Sequence, residues 1–483
     1  MLAYRQVNTR ANFHLFTCDY LNLSVINIVL NETAKKTIPI TLIYIVLTLQ
    51  LIILVDTYAV NVLWWDQWDF LYPLFQDRGY LDIFKWQHGP HRQGLAFVLT
   101  SFIYKSTNWN VRIEAFFMVG LLFVTSLLFS ITNFRLNKNI SLFDSAIPLM
   151  ILSSLFYETI YQTPNASHGI FPLFLLSVIA LGQTFTFGKR ILVTTVSGFF
   201  AIFSGFGLFA GLMVTIWTVW GMVCAHLSNI RHRLIVYTTA FLLMTVGFYL
   251  FFYGYAFNPA VECYHFPHSP IREYFIFLFA MLGFFDGIHC SAGVLFCYLS
   301  LVIGFLQAAV FLSLSITELK RFFIKKKKAS ALTRICIILG GFSAIYMIST
   351  AIGRVCISPI GGQAPRYLPL VTPAYIALYF YLRQKSSKKL MRFLLYFLFV
   401  GLFLKALVFS FPIAEKSMSA MVEISKGKTL WIESYLETGD LIKASELSGF
   451  KLYPDDPMVL SNRMRYLHDR NLTFFQNKKL SEK

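Results

Sequence analysis

From Ile38 to Tyr58 the chain carries a single charged residue, Asp56, and apolar runs of this kind recur along most of its length. About 20 such residues in a helix cross the hydrocarbon layer of a bilayer. Lipid offers no partner to a backbone N–H or C=O, so a spanning segment must satisfy its own hydrogen bonds. A β-barrel would show short alternating strands, which this sequence lacks. The pattern therefore dictates an all-α polytopic membrane protein. Composition agrees: 56% of residues are hydrophobic and 14% charged, with 50 phenylalanines.

The 42 Lys and Arg against 24 Asp and Glu give a formal net charge of +18. Most of that excess lies in short connections, where positive charge sets membrane orientation, and no nucleic-acid motif accompanies it. The spans expected from the pattern are 38–58, 112–131, 142–159, 169–187, two helices within 191–227 divided at Gly205 and Gly207, 234–255, 289–313, 334–353, 367–382 and 393–411. A segment at 273–287, with Asp286 and His289 at its FDGIH bend, is expected to dip in and return. That choice keeps the Lys320–Lys328 cluster on the cytoplasmic side. The result is about eleven crossings with the N-terminus inside and the C-terminus outside. Residues 1–37 are expected to be cytoplasmic, with no cleavable leader; 38–411 form the membrane domain; 412–483 are a small helical tail on the outer face. Asp456-Pro457 reads there as a helix start. The seven cysteines show no CxxC pair and no metal-ligand spacing, and read as small apolar fillers.

The polar residues gather on the outer side of this arrangement. The first outer loop, 59–111, holds Asp66, Asp69, Asp77, Asp82, His88, His91 and Arg92 among Trp64, Trp65, Trp68 and Trp86. Within it Gly94–Tyr104 is too short to cross and is expected to lie along the interface. Glu158 and His168 flank the second loop; Glu158 reads equally as a functional carboxylate or an interfacial acid. Arg354 and Arg366 stand at outer helix ends, against the positive-inside tendency, where a guanidinium can meet a phosphate. His88 and His91 have a metal-like spacing, but Gly89 and Pro90 between them argue against one helical face. A divalent metal is thus neither implied nor excluded. Lys405, inside the last span, reads as a snorkelling or structurally paired lysine. A carboxylate at the interface can take a proton from an attacking hydroxyl, and arginines can stabilise the charge left on a departing lipid phosphate.

Several stretches resemble the GT-C superfamily of polytopic glycosyltransferases: Asp66-Gln-Trp68 and His88-Gly-Pro-His91-Arg92 in the first outer loop, Ser204-Gly-Phe-Gly207, Ala351-Ile-Gly-Arg354, Ala364-Pro-Arg366-Tyr367, and the tail's LYPDDP at 452–457. The resemblance covers most of the chain in order. It implies a GT-C-like fold in a bacterial inner membrane with a periplasmic C-terminus. It also implies a polyprenyl-phosphate-linked sugar as donor, a glycan or lipid-linked acceptor outside the cytoplasm, as in O-antigen or lipopolysaccharide modification, and Asp66 as catalytic base. Where many GT-C enzymes have two adjacent acids, this chain has Asp66 and Asp69. His88, His91, Arg92, Glu158, His168, Arg354, Arg366 and Tyr367 are the groups expected to hold substrate. The alternatives are an O-antigen-type polymerase, whose key groups usually sit in later loops, and a lipid-linked glycan flippase or transporter, which would need mid-membrane polar residues and internal symmetry.

Overall fold

A computed structural model of the chain describes residues 23–161, 166–258, 261–324, 329–409, 418–454 and 457–477. Residues 1–22, Asn165, Lys325–Lys328, the start of the tail at 412–417 and the Asp456 helix start lie outside the described residues. The helix α1 (Leu23–Tyr58) leads to an outer loop built from α2 (Gln67–Phe70), α3 (Tyr72–Phe75), α4 (Tyr80–Lys85), a hairpin of β1 (Gln87–His88) and β2 (His91–Arg92), and α5 (Gly94–Ser106). The bundle continues with α6 (Val111–Asn137), α7 (Ala146–Ile151), α8 (Tyr157–Tyr161), α9 (Ile170–Gly182), α10 (Phe187–Ile202), α11 (Leu208–Leu227) and α12 (Arg231–Phe252). Then come α13 (Arg272–Gly283), α14 (Val294–Ile324), α15 (Ala331–Arg354), α16 (Leu368–Gln384) and α17 (Lys389–Val408). The tail adds α18 (Ser419–Thr438), α19 (Leu441–Ser448) and α20 (Pro457–Asp469).

Seven of the described helices are long and apolar enough to cross a membrane: α1 from Lys36, α6, α11 with its preceding turn, α12, α14 to Thr317, α15 and α17. The four other segments expected to cross are shorter. The expected continuous span at 142–159 is instead a 3-10 turn, the six-residue α7, a second 3-10 turn and the five-residue α8. Helices α9, α10 and α16 have 13, 16 and 17 residues. Burial explains how short and broken backbone is tolerated. Every residue of α7 is buried, as are Leu368–Ala377 at the start of α16. Broken helices survive at membrane depth where protein, not lipid, surrounds them. The long helices α14 and α17 form the opposite case. Their most apolar windows are only 11% and 17% buried, and Leu295, Tyr298, Phe393 and Phe397 face outward, as a lipid-contacting helix requires.

Two polar layers mark the ends of the short segments. At one end Asp144 meets Arg383 (3.1 Å) and Tyr379 (2.6 Å), and Arg334 donates to Gln183. At the other, Glu158 meets Arg366. The segment at 273–287 forms the 12-residue α13 and a 3-10 turn closed by Gly287 at φ 82°. At about 18 Å, α13 is shorter than any of the seven long helices. Lys405 pins this bend: buried in α17, it donates to the Phe285 carbonyl at 2.9 Å, while Asp286 and Tyr375 both meet Gln307. Lys405 therefore pairs structurally and does not snorkel.

The tail does not stand alone. Trp431, Leu452, Met464, Leu467 and Phe475 share one core with Val62, Trp68, Phe70, Phe75, Tyr104 and Trp109 of the first outer loop. The backbone ties Trp65 N–H to the Leu452 carbonyl and Thr473 N–H to the Asn108 carbonyl. Helix α5 packs its Ala96, Phe97, Thr100 and Tyr104 face inward, leaving Phe102 exposed. Glu114, at the start of α6, fixes it by accepting from Thr100 and Tyr104.

The cysteines correct the sequence reading. Four of the seven form two disulfides, Cys263–Cys356 and Cys290–Cys297. The sequence gives no spacing signal because the partners of the first lie 93 positions apart and meet only through the fold. Cys356 follows Arg354 by two residues, so this bridge lies at the Glu158–Arg366 end. Cys224, in the last turn of α11 at the opposite end, is a free thiol. Peptide mapping after maleimide labelling of the denatured, unreduced protein should find label on Cys224. Label on Cys263, Cys290, Cys297 and Cys356 should appear only after reduction, and label on these four beforehand would contradict the pairing.

Candidate active site

The site begins with a two-residue β-hairpin. Gln87 pairs with Arg92 and His88 with His91 across Gly89 and Pro90. Gly89 takes φ 57°, the left-handed conformation glycine adopts without strain. The histidines thus face each other across a turn instead of sharing a helical face. Gln87 bonds both ways with Ala256, and Tyr255 donates to the Pro90 carbonyl at 3.0 Å, so the loop after α12 holds the hairpin.

Arg92 completes this anchor. Its guanidinium is buried and donates to the carbonyls of Phe251 (2.8 Å), Lys85 (2.5 Å) and Tyr253 (2.7 Å). The expected substrate ligand is therefore a brace whose donors serve backbone oxygens. Removing them strands the buried Phe251 carbonyl, at about 1–3 kcal/mol, and leaves two part-buried carbonyls to weaker partners. Arg92→Ala should lower unfolding stability by on the order of 3 kcal/mol, read as a fall in melting temperature in detergent. Unchanged melting with weakened substrate binding would instead restore Arg92 to the binding set.

Below the hairpin lies the Gly205–Gly207 turn expected between α10 and α11. A side chain at Gly205, φ 54°, would collide with the Ser167 carbonyl, so only glycine permits this approach. The contact brings Phe206 against His91, ring centroids 4.1 Å apart, and near His168 at 6.4 Å. His91 and His168 lie 5.7 Å apart, and Phe70 is edge-on to both His88 and His168. Ser167 donates to Gln93 at 2.5 Å, locking the second loop to the first. Phe206 in turn meets Tyr346 of α15 at 4.9 Å. Tyr346 precedes the end of α15 by eight residues, so the site lies about 12 Å inside that end.

Charges of both signs surround these rings. Asp66 is exposed at the start of α2, and its carboxylate has no hydrogen-bond or ion-pair partner among the described residues. The neighbouring tryptophan rings do not bury it. Trp65, at φ 55°, turns outward, 42% exposed, while Trp68 turns into the core. Asp69 is occupied: Arg463 meets it at 2.8 Å and the Tyr453 hydroxyl donates to both its oxygens. Asp77 also belongs to the tail contact, accepting from Tyr466 and Arg470, so it is no free loop charge.

On the other side Glu158 accepts from both the backbone N–H and the guanidinium of Arg366, the latter at 2.5 Å. Arg366 lies over the ring of Tyr367, itself buried. Glu158 is thus a partner for an arginine. Arg354 has no hydrogen bond or ion pair among the described residues. Its charge nevertheless reaches His91 and His168. Burial is the largest influence on all three histidines and holds them below their ordinary range. His91 is pushed down to about 3, with Arg354 and His88 adding to the effect, and His168 falls well below 6.5. His88 is lowered too, though Asp66 and Asp69 pull it back up. Three neutral imidazoles therefore separate Asp66 from Arg354. No group of three or more His, Cys, Asp or Glu among the described residues has a metal-binding arrangement.

Tyr346 and Phe206 are the site residues that the sequence reading missed. Each looks like ordinary core in an apolar run, although Phe206 lies within the quoted Gly205–Gly207 stretch. No protein-family model, curated protein or solved structure matches the chain.

The neutral histidines make a stability prediction. An unfolded histidine takes up a proton below about pH 6.5, but these folded ones resist it to lower pH. Their stabilisation is fully present above about pH 6.5 and is lost as pH falls through that value toward 3. Each contributes a slope of at most about 1.4 kcal/mol per pH unit. The melting temperature in detergent should fall on acidification from pH 7 to 5, and His91→Gln should flatten that fall. An equally steep fall in His91→Gln would count against it.

Proposed function

We propose that this protein is a membrane glycosyltransferase of GT-C type. It would move a sugar from a polyprenyl-phosphate donor to an envelope glycan or lipid-linked acceptor on the extracytoplasmic face of a bacterial inner membrane. The observation that carries the reading is the pair of uncompensated charges, Asp66 and Arg354. They share one end of the bundle, with neutral histidines between them. Asp66 is open to solvent and Arg354 half-buried, so each can meet a ligand, and groups without side-chain partners around one site are candidates for chemistry.

The two disulfides at this end support an oxidising compartment there, with the free thiol Cys224 at the cytoplasmic end. The polar layers at both ends of the four short segments support counting them as crossings, giving eleven. On that orientation the tail, packed on the first outer loop, is periplasmic.

In the reaction, a hydroxyl of the acceptor attacks the anomeric carbon of the donor sugar. Asp66 takes the hydroxyl proton as the new C–O bond forms. The bond from the anomeric carbon to the phosphate oxygen breaks, and its electron pair leaves with the lipid phosphate. Arg354 stabilises that growing negative charge, with Arg366 beside it. Asp69 acts as a positioning residue, holding the α2 turn against the tail. His88, in the field of both aspartates, orients the space between base and donor.

The test is transfer activity of membrane-inserted Asp66→Asn beside Asp82→Asn, an exposed acid in the first turn of α4. Loss of a general base costs about 10²–10⁴-fold in rate, so Asp66→Asn should fall by that amount while Asp82→Asn stays near wild type. Equal activity of the two removes Asp66 from the mechanism. The assay is mass spectrometry of envelope glycans from cells with and without the gene. A hexose-sized difference is the expected result, and a change in glycan chain length would favour a polymerase.

A further inference from the structure

Two buried polar atoms near Arg354 make no hydrogen bond among the described residues: His168 Nε2 and the Tyr346 hydroxyl, whose neighbour Thr350 gives its own hydroxyl proton to the Tyr346 carbonyl. Leaving either unsatisfied costs a folded protein stability. Both adjoin Phe206, which meets His168 on one edge and Tyr346 on another. Both also feel the same two cations, Arg354 and Arg366. The 3-10 turn before α9 and helix α15 thus present two orphaned donors beside two guanidinium groups.

We infer that His168 Nε2 and the Tyr346 hydroxyl are hydrogen-bond donors to the phosphate of a prenyl monophosphate held by Arg354. This deepens the proposed function and rests on its assignment of a lipid phosphate to the arginines. An anion satisfies every group at once: the arginines supply charge, and the neutral imidazole and phenol supply directed hydrogens. A neutral His168 donates without adding positive charge, and its burial keeps it neutral through physiological pH. Neutral donors also suit a phosphate that must leave after transfer, since a third fixed cation would hold it more tightly. Tyr346 lies about 12 Å inside the end of α15, a depth an isoprenoid phosphate reaches when its tail runs among the helices.

The experiment uses the full-length protein in detergent, with binding measured by calorimetry and melting temperature for farnesyl phosphate, farnesol and inorganic phosphate. Farnesyl phosphate should bind and raise the melting temperature; farnesol should not; inorganic phosphate should bind more weakly. Hydrogen bonds to a charged partner are strong enough that losing one weakens binding about tenfold or more. Tyr346→Phe and His168→Phe should each show that loss for farnesyl phosphate, with His168→Gln recovering part of it through its amide donor. Without ligand, Tyr346→Phe should melt no lower than wild type, because it removes only an unsatisfied hydroxyl. That separates a binding role from a structural one. Wild-type affinity in both Tyr346→Phe and His168→Phe, with Arg354→Ala weakened, would overturn this inference and leave the lipid-phosphate reading standing. Wild-type affinity in Arg354→Ala and Arg366→Ala, or binding of farnesol as tight as that of farnesyl phosphate, would overturn both.

Discussion

Backbone hydrogen bonding in lipid governs this architecture. A peptide group in hydrocarbon must bond within its own helix, or be enclosed by protein. The long helices meet the first condition and carry their apolar side chains outward. The short ones meet the second. Helix α7 and the start of α16 are wrapped on all sides, which lets the chain break at Leu152, Gly205 and Gly287 without exposing peptide groups to lipid. Breaks are where a polar loop can enter the bundle, and the histidine site is assembled at two of them. The turn at Gly205 and the 3-10 turn Ala166–His168 meet the hairpin of the first loop there.

A second constraint comes from outside the membrane. The loop at 59–111 contains only short helices, each too brief to be stable alone. Its stability comes from the tail, which shares its core and meets its acids. Tyr453 and Arg463 hold Asp69, while Tyr466 and Arg470 hold Asp77. Trp431, fully buried, is a central side chain of this joint core. The tail is thus the frame that sets the position of Asp66, three residues before Asp69. A truncation before Ser419 would expose Trp68, Phe75 and Trp109 to water and is better read as loss of the loop than as loss of a separate domain.

Hydrophobic periodicity made the all-α membrane class legible, along with the long helices and the glycine turn at Gly205. Local signals could not reveal pairings made at long range. Nothing near Asp69 announces Arg463 almost four hundred residues away, and nothing near Cys263 announces Cys356. The same limit explains Arg92. A conspicuous arginine in a polar loop looks like a ligand until its three carbonyl partners, two of them at the end of α12, are in place. The continuous span expected at 142–159 failed for another reason. Apolar composition suits a buried broken segment as well as a lipid-facing helix, and only packing separates them.

The charges at this end of the molecule fall into two kinds, and the division bears on mechanism. Asp69 has Arg463 and Tyr453, and Arg92 has three carbonyls. Each is held in one geometry, which makes it a good brace and a poor reagent. A paired carboxylate gives up basicity to its cation, and a saturated guanidinium has few donors left for a ligand. Asp66 and Arg354 lack such partners, and they lie on opposite sides of three imidazoles kept neutral by burial. If the histidines were charged they would screen one group from the other and draw the carboxylate into an ion pair. Neutral, they leave a negative group able to accept a proton and a positive group able to receive one leaving charge. The paired residues thus provide rigidity so that the unpaired ones can remain unpaired, which is what the proposed transfer would require of its site.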